Sequence, residues 1–349
     1  HGPYNIRILH KQYTYSIYNL INLNTLYWHS NQLSGLIPKE IGNFKSLVNL
    51  SLSNNSLSGL IPPNIGNLIN LNTMYLHTNK LSGLIPKEIG NLKSLVNLSL
   101  SYNKLSDEIW NLKSLVQLHL SSNQLNGSIP TSFSNLSNLE ILFLRDNQLS
   151  GSIPQELENL KNLILLELDT NQLSGYLPRN ICQGGKLTNL SVHTNYFTGP
   201  IPKSLKNCKG LFRVRLDQNQ LTSNISEDFE ISHNWGQCPN LETLRMAGNN
   251  LIGSIPPEIG NATKIHVLDL SSNHFVGLIP RKFRKLSSLV KLMLNGNQLS
   301  GCIPSEFGSL NDLEYLDLST NKFNESNKER RSIKILNKTT CMEKFPFRF

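Results

Sequence analysis

Two arginines separated by one residue, Arg213 and Arg215, are the sharpest chemical feature of the sequence. If Val214 is the buried residue of a β-strand, both arginines project from the same face, roughly 6–7 Å apart. Each guanidinium offers paired N–H donors, so two of them at this spacing suit one carboxylate. The pair predicts a site for a carboxylate-bearing ligand. The alternative is that both arginines form solvated ion pairs with Asp169 and Asp217.

Further polar and aromatic residues extend this candidate site. An aromatic ring would supply an apolar surface, and carboxylates would accept hydrogen bonds from a ligand's backbone or amine. The candidate ligand-binding residues are Phe143, Arg145, Glu167, Asp169, His193, Arg213, Arg215, Asp217 and Arg245.

Patterns typical of enzymes or metal sites do not accompany these residues in the sequence. We find no nucleophile–base pair, phosphate loop or cysteine–histidine cluster with metal-ligand spacing. His29 and His77 are two sequence repeats apart, roughly 10 Å in a stacked array, which is too far to share a metal. The sequence therefore predicts a binding protein rather than an enzyme, without a metal or another cofactor.

Copies of one pattern must position these side chains. The segment LNTMYLHTNKLSGLIPKEIGNLKS occupies residues 71–94, and its skeleton L-x-x-L-x-L-x-x-N-x-L-x-G-x-I-P recurs along the chain. One asparagine, here named the ladder asparagine, marks each copy. Most neighbouring copies are 24 residues apart, a period within the range of leucine-rich repeats. The ladder asparagines are Asn31, Asn55, Asn79, Asn103, Asn123, Asn147, Asn171, Asn195, Asn219, Asn249, Asn273, Asn297 and Asn321.

Each repeat contains the features of one solenoid coil. Its L-x-L core alternates apolar and polar residues, which is the periodicity of a strand. The ladder asparagine can cap backbone groups where the strand ends, and the following I-P stops strand growth. One repeat cannot bury its own leucines, so neighbours must stack. We predict an α/β solenoid of about 13 leucine-rich repeats, with a parallel β-sheet on the concave face.

Side chains at equivalent positions of successive repeats should form rows on this face. The candidate residues then come together over the middle of the sheet, and we expect a ligand across the sixth to tenth repeats. The second and third repeats look bland by comparison, because they place mainly small or neutral side chains outward. Those outward residues are Asn49, Ser51, Ser53, Asn54, Thr73, Tyr75, His77 and Thr78.

Three irregularities interrupt the array. Residues 24–57 and 72–105 have nearly the same sequence, which indicates duplication of a two-repeat unit. Only 20 residues separate Asn103 from Asn123, so four residues are lost there. The interval from Asn219 to Asn249 is 30 residues, and we favour loss of most of one repeat over insertion of a loop.

The sequence also indicates which segments lie outside the repeats at the two ends of the chain. We predict an atypical N-terminal segment at residues 1–19, the repeat domain at 20–323 and a basic tail at 324–349. The tail carries four of the nine net positive charges, but no nucleic-acid motif accompanies it, so a solvated tail is expected. The start at His1, without Met or an apolar leader, predicts a fragment or a truncated product. No apolar stretch is long enough to span a membrane.

Two cysteines could pair, and the glycosylation sequons permit a secretory history. Cys182 and Cys208 fall at similar places in adjacent repeats and could form a disulfide, the alternative being two buried thiols. The candidate glycosylation sites are Asn49, Asn97, Asn126, Asn135, Asn189, Asn224 and Asn261.

Segments such as LSGLIPKEIGNLKSLVNLSLSYNKLS and GSIPTSFSNLSNLEILFLRDNQLSGSIP resemble the ectodomains of plant leucine-rich-repeat receptor-like kinases. The resemblance covers about residues 20–323 and is greatest to the male-discoverer-interacting receptor-like kinase type. It implies a plant-type superhelix outside the plasma membrane, a secreted peptide or protein ligand, and a co-receptor kinase with a short repeat ectodomain. It also implies that Arg213 and Arg215 hold the C-terminal carboxylate of a peptide.

Departures from the family pattern suggest other functions. The paired cysteines expected at both ends of the repeats, the transmembrane helix and the kinase domain are missing from this sequence. We expect a truncated ligand-binding region without a kinase. The alternatives are a soluble extracellular inhibitor or decoy, which would be expected to carry both cysteine pairs, and a non-functional truncated gene product.

Overall fold

The computed structural model describes residues 20–106, 113–225 and 238–324. The predictions made for residues 1–19 and 325–349 lie outside the described residues. So do the segments 107–112 and 226–237, where the two irregular intervals depart from the repeat pattern.

Thirteen parallel strands form one sheet along the concave face, each pairing with the strand of the next repeat. We number the coils 1 to 13 by their ladder asparagines, from Asn31 to Asn321. This confirms the predicted leucine-rich-repeat solenoid. The strands are Thr25–Tyr27, Asn49–Ser51, Thr73–Tyr75, Asn97–Ser99, Gln117–His119, Ile141–Phe143, Leu165–Glu167, Asn189–Ser191, Arg213–Arg215, Thr243–Arg245, Val267–Asp269, Lys291–Met293 and Tyr315–Asp317.

The central residue of each concave strand points into the core. Leu26 pairs in register with Leu50, and Leu50 with Met74. Leu50 and Met74 are fully buried, and Leu26 at the first strand is 6% exposed. The flanking residues of each strand therefore point outward, as the alternation in the sequence predicts.

The concave strands on either side of each irregular interval pair with one another. Leu98 of coil 4 pairs with Leu118 of coil 5, although the interval between their asparagines is short. Val214 of coil 9 pairs with Leu244 of coil 10 across the long interval. The register of the concave sheet is therefore continuous through both.

Shorter strands follow the ladder asparagines and form three further parallel sheets on the side of the solenoid. The glycine of the repeat pattern adopts positive φ here, as at Gly59, whose absent Cβ leaves room for the exposed Leu36 of the preceding coil. Sequence reasoning missed these strands. They are Ser34–Gly35, Ser56–Gly59, Lys80–Leu84 and Lys104–Ser106; then Asn126–Ser128, Gln148–Ser152, Gln172–Tyr176, Tyr196–Gly199 and Gln220–Leu221; then Ile252–Ser254, His274–Gly277, Gln298–Gly301 and Lys322–Phe323.

Five-residue 3-10 helices cross the convex side, each beginning directly after the proline of I-P or its equivalent. Proline presets the φ needed to enter the helix, and the short helices return the chain to the next strand. In the described ranges these helices are Lys39–Asn43, Pro63–Asn67, Lys87–Asn91, Thr131–Asn135, Gln155–Asn159, Lys203–Asn207, Pro257–Asn261, Arg281–Lys285 and Ser305–Ser309. No helix in these ranges has the length and apolar character needed to cross a lipid bilayer.

The ladder asparagines join neighbouring coils through their amides. In Asn195, Nδ2 donates to the carbonyl of Val192 in its own coil and to that of Leu168 in the preceding coil, both at 3.1 Å. Its Oδ1 accepts from the backbone N–H of Leu173 at 2.9 Å. The same contacts recur at Asn79. Each asparagine therefore satisfies backbone groups that the turn would otherwise leave unpaired.

A disulfide joins Cys182 to Cys208 across adjacent coils, with their Cα atoms 5.6 Å apart. Cys238 stacks on the next coil as a buried free thiol, and its Sγ lies 3.7 Å from the carbonyl oxygen of Cys208. Burial raises the pKa of Cys238 to about 11, so this thiol stays protonated near neutral pH.

Candidate ligand-binding site

The predicted candidate residues lie on one face, over coils 6 to 10. Phe143 aligns with Glu167 across the sheet, Glu167 with Ser191, and Ser191 with Arg215. Arg215 in turn aligns with Arg245. The remaining candidates flank this row: Arg145, Asp169, His193 and Asp217 lie two residues after it, and Arg213 two residues before it.

Asp217 fixes one of the two central arginines. The Nε and Nη2 atoms of Arg215 donate to the two carboxylate oxygens of Asp217, at 3.4 and 3.1 Å. Arg213 is exposed, and among the described residues no hydrogen bond or ion pair holds its guanidinium. One of the two ion pairs weighed as an alternative therefore forms, and Arg213 stays available to a ligand.

Asp169 contacts a histidine instead of an arginine. His193 Nε2 lies 3.3 Å from Asp169 Oδ2, and both side chains are largely buried. Burial acts to raise the pKa of Asp169, but hydrogen bonds from His193 and Ser191 and the charge of His193 outweigh it and lower that pKa. Asp169 is therefore ionised near neutral pH and holds the His193 ring over the sheet.

Glu167 and Arg145 form a second polar pair at the edge of the site. Arg145 Nε lies 3.6 Å from Glu167 Oε2, and Arg145 Nη2 donates to Tyr102 Oη at 3.4 Å. Burial raises the pKa of Glu167, while the charge of Arg145 opposes that shift. The carboxylate remains a hydrogen-bond acceptor on the open face.

Arg245 adds a third guanidinium beside the arginine pair. It lies between Arg215 and Asp269 in the sheet register. Its Nε is buried and has no hydrogen-bond partner among the described residues. Positive charge thus collects over coils 9 and 10, as expected for a site that receives an anionic group.

The concave face also has a depression that the sequence did not predict. A depression of about 510 Å³ lies on the concave face over coils 3 to 7. Sequence reasoning missed it because its floor is made of serines and its walls of side chains from other coils. The residues that line it are His77, Thr78, Ser99, Ser101, Tyr102, His119, Ser121, Phe143, Arg145 and Glu167.

The sequons occupy two kinds of position. Asn49, Asn97 and Asn189 lie half-buried in concave strands. Asn49 Nδ2 donates to Thr25 Oγ1 at 3.3 Å, and Asn97 Nδ2 to Thr73 Oγ1 at 3.5 Å. The others lie off the concave face: Asn126 on a side strand, Asn135 and Asn261 at the ends of 3-10 helices, and Asn224 after the side strand of coil 9.

Groups of histidine, cysteine, aspartate or glutamate arranged to hold a metal ion do not occur in the described ranges. Most charged side chains on the concave face of coils 6 to 10 are paired with one another or exposed to solvent, whereas Arg245 Nε is buried without a partner in these ranges. Their arrangement suits recognition of a polar ligand.

Family comparison agrees with the repeat architecture. A model described as "Leucine rich repeat" matches residues 45–105, 113–173 and 263–323, and a second one, "Leucine Rich Repeat", matches 22–44, 186–208 and 240–262. No curated protein sequence matches the chain.

Solved structures of plant receptors are similar to the chain. The plant peptide hormone receptor RGFR1 in complex with RGF2 is 38% identical, with a TM-score of 0.83 over 88% of this chain and 53% of that one. The ectodomain of the Arabidopsis thaliana receptor kinase GASSHO1/SCHENGEN3, in complex with CASPARIAN STRIP INTEGRITY FACTOR 2, is 36% identical. Its TM-score is 0.75, over 88% of this chain and 39% of that one.

A third structure contains two partners. The Arabidopsis receptor kinase HAESA, in complex with the peptide hormone IDA and the co-receptor SERK1, is 31% identical with a TM-score of 0.58. The match covers 88% of this chain and 67% of that one. The chain thus spans about half the length of the first receptor and less of the second. Because the first family model alone matches more than half of its residues, the chain belongs to the leucine-rich-repeat family.

Proposed function

We propose that this chain is the extracellular ligand-binding region of a plant receptor kinase of the male-discoverer-interacting type. Its ligand is a secreted peptide or protein that lies across coils 6 to 10. Similarity to receptor ectodomains solved with peptide hormones supports this proposal. Arg213 and Arg215 would hold the ligand's terminal carboxylate.

The observation that carries the proposal is the unequal state of the two arginines. Arg215 is held in place by two contacts to Asp217, which orients it before any ligand arrives. Arg213 is exposed on the same strand and has no partner among the described residues. A carboxylate placed between them would gain donors from both without breaking an existing pair of Arg213.

Other side chains of the face would contact the rest of the ligand. The Phe143 ring offers an apolar contact, and Glu167 can accept hydrogen bonds from ligand backbone N–H groups. His193, held by Asp169, presents a ring between the aromatic and the arginine ends of the site. Arg245 would add charge next to Arg215 and favour an acidic residue near the ligand's C-terminus.

Parallel peptide libraries test the carboxylate site. Random 12-residue peptides would be displayed with free C-terminal carboxylates and, in a second library, with C-terminal amides. We expect enrichment on the purified protein from the first library only, and loss of roughly tenfold or more in affinity when a selected peptide is amidated.

The matched variants carry the same change of charge. Arg213→Ala with Arg215→Ala should abolish binding of the selected peptides, while Arg281→Ala with Arg284→Ala on the convex side should leave it unchanged. Equal affinity of free-acid and amidated peptides, or unchanged binding by the first double variant, would refute the carboxylate clamp.

A co-receptor kinase and a location outside the plasma membrane belong to the same proposal. The solved complex of a similar receptor with a hormone and SERK1 supports a co-receptor as a second partner. We expect a short-ectodomain co-receptor to bind the purified chain only after a selected peptide is added. Peptide-independent binding in size-exclusion chromatography would contradict this order.

A further inference from the structure

Large and small side chains alternate from coil to coil at the N-terminal end of the concave face. Coils 1 and 3 carry a tyrosine and a histidine two residues apart, and coils 2 and 4 carry two serines at the same positions. This alternation follows from the duplicated text of residues 24–57 and 72–105. The residues, in coil order, are Tyr27 and His29, Ser51 and Ser53, Tyr75 and His77, and Ser99 and Ser101.

The large pairs form repeated walls. The rings of Tyr27 and His29 are 6.0 Å apart and tilted by 57°, and those of Tyr75 and His77 are 6.2 Å apart and tilted by 55°. A further wall follows where His119 contacts Phe143, with ring centroids 4.7 Å apart. These walls repeat every second coil along the solenoid.

Two troughs lie between the walls, and we name them the serine troughs. The first lies over Ser51 and Ser53, and the second over Ser99 and Ser101. These serines are nearly buried, with 4% to 8% exposed, because their short side chains lie below the neighbouring rings. The second trough is part of the 510 Å³ depression.

Unpartnered polar atoms face the second trough. Ser121 is 4% exposed and lines the depression, yet its Oγ has no hydrogen-bond partner among the described residues. His119 Nε2 is also buried without a partner. Tyr102 Oη accepts from Arg145, which leaves its own O–H free to donate. A buried polar group without a hydrogen bond is costly in free energy. These atoms therefore indicate a ligand that supplies their hydrogen-bond partners.

The spacing of the troughs selects the ligand's conformation. Two coils of parallel sheet advance by about 9.5 Å. A polyproline II helix advances about 9.3 Å in three residues and then presents the same face again. An extended strand repeats its face after about 6.7 Å, which matches neither one nor two coils. Every third side chain of a polyproline II segment along the solenoid would therefore reach successive troughs.

We propose that the serine troughs bind a proline-rich segment in the polyproline II conformation, with every third side chain entering a trough. Proline rings pack against aromatic walls such as those of Tyr75 and Phe143. A proline-rich backbone has carbonyl acceptors without N–H donors, and the hydroxyls of Ser121 and Tyr102 can donate to them. Burial lowers the pKa of His119, with a further contribution from His77, so its ring is neutral and can enter an apolar contact.

This site meets the proposed ligand face at Phe143, but the troughs end several coils before the two arginines that would hold the carboxylate. It requires Asn49 and Asn97 to be free of glycans, because both lie beside the troughs on the same strands. Their side chains already donate to threonines of the preceding coils. Mass spectrometry of the secreted protein should find both asparagines unmodified, and full occupancy at Asn97 would overturn the proposal.

The probe is a fluorescein-labelled peptide of four Pro-Pro-Leu units with an amidated C-terminus. Its control has the same composition, with leucines at irregular spacings. We expect saturable binding by fluorescence anisotropy, with the control weaker by roughly fivefold or more because its leucines cannot enter both troughs. Amidation removes the carboxylate, so Arg213→Ala with Arg215→Ala should leave this binding unchanged even if the clamp proposal fails.

Variants place the probe on the troughs. Ser101→Tyr fills the second trough and should weaken binding roughly tenfold, and Asn295→Tyr adds the same ring in the equivalent position of coil 12 and should change it less than about twofold. Tyr75→Ala removes the wall shared by both troughs and should weaken binding without crowding the fold. Circular dichroism verifies folding. Absent binding, equal binding of both peptides, or full binding by Ser101→Tyr and Tyr75→Ala would refute the site.

Discussion

Coils 1 to 5 and coils 6 to 10 have the same scaffold and different faces. The buried residue at each strand centre is Leu or Met in coils 1 to 5 and Leu or Val in coils 6 to 10. Outward positions in the first region alternate tyrosine and histidine with serine, whereas the second region presents arginines and carboxylates. The scaffold depends on buried residues that are not on the concave surface. The exposed side chains of that surface can therefore change without loss of the fold.

The two regions also differ in how their ladder asparagines are covered. Asn195 is 6% exposed, and Asn79 is half-buried although it makes the same hydrogen bonds. The N-terminal turns are thus closer to water.

The largest effect should come from removing a ladder asparagine. Asn195→Ala removes four hydrogen bonds, leaves the N–H of Leu173 without this acceptor and should lower the free energy of unfolding by about 4 kcal/mol. The three carbonyls affected each keep another donor. Asn79→Ala should cost about 2 kcal/mol, because water reaches its turn. Urea denaturation measures both, with exposed Asn311→Ala as the control. Equal costs would remove the distinction in burial.

Loss of the disulfide should affect one region only. Cys182 and Cys208 are 26 residues apart, and a closed loop of that size stabilises the fold by about 3 kcal/mol. In Cys182→Ser with Cys208→Ser, hydrogen exchange should accelerate in coils 7 to 9 and stay unchanged in coils 2 to 4. Cys238→Ser, which breaks no disulfide, is the matched control. Uniform acceleration of exchange would show that the two regions unfold together.

Salt should separate the two proposed sites. Raising ionic strength from about 0.05 to 0.5 M shortens the screening length from roughly 14 to 4 Å, so binding of a free-acid peptide at Arg213 and Arg215 should weaken severalfold. The Pro-Pro-Leu peptide should change little, since its contacts are uncharged. Anisotropy titrations with both peptides test this contrast. An equal loss of affinity for both peptides would assign them to one charged site.

The smallest effects concern pH and occur in different ranges. His77 and His119 have pKa values below the ordinary 6.5, so the folded early coils bind protons less readily and lose stability as pH falls below that value. Asp169 has a pKa below the ordinary 3.8, so its contribution is present above that value and is lost as pH falls through the lowered one.

Variants identify which group produces each part of the stability curve. His119→Gln with His77→Gln should flatten the stability curve just below pH 6.5 and leave its acid part unchanged. Asp169→Asn should flatten only the acid part. Urea midpoints across a pH series provide the measurement, and an unchanged curve in either variant would rule out that group as the cause.

Much of the architecture could be predicted from spacing alone. The ladder asparagines gave the number and order of the concave strands, because each strand has a fixed place relative to its asparagine. The side strands around Gly59 were missed, since two to five residues with glycine carry a weak alternation. Continuity of the sheet through the interval from Asn219 to Asn249 depends on stacking, which spacing does not reveal.

The site was predictable by position and less so by contact. The rows that bring Phe143, Glu167 and Arg215 together follow from the repeat. That Asp169 pairs with His193 does not, because the neighbouring coil offers several partners and only side-chain geometry decides between them. The serine troughs depend on the relative sizes of residues in different coils, so no single repeat reveals them.

The direction of the asparagine contacts has a consequence for synthesis. Asn79 Oδ1 receives the N–H of Leu57, 22 residues earlier, and its Nδ2 donates to the carbonyl of Leu52, 27 residues earlier. On a ribosome each newly made coil therefore waits for its successor before its turn is complete, an interval of about 1–5 seconds at ordinary elongation rates. During synthesis the last coil of the nascent solenoid therefore always lacks some hydrogen bonds of its turn. A chaperone would bind at that coil.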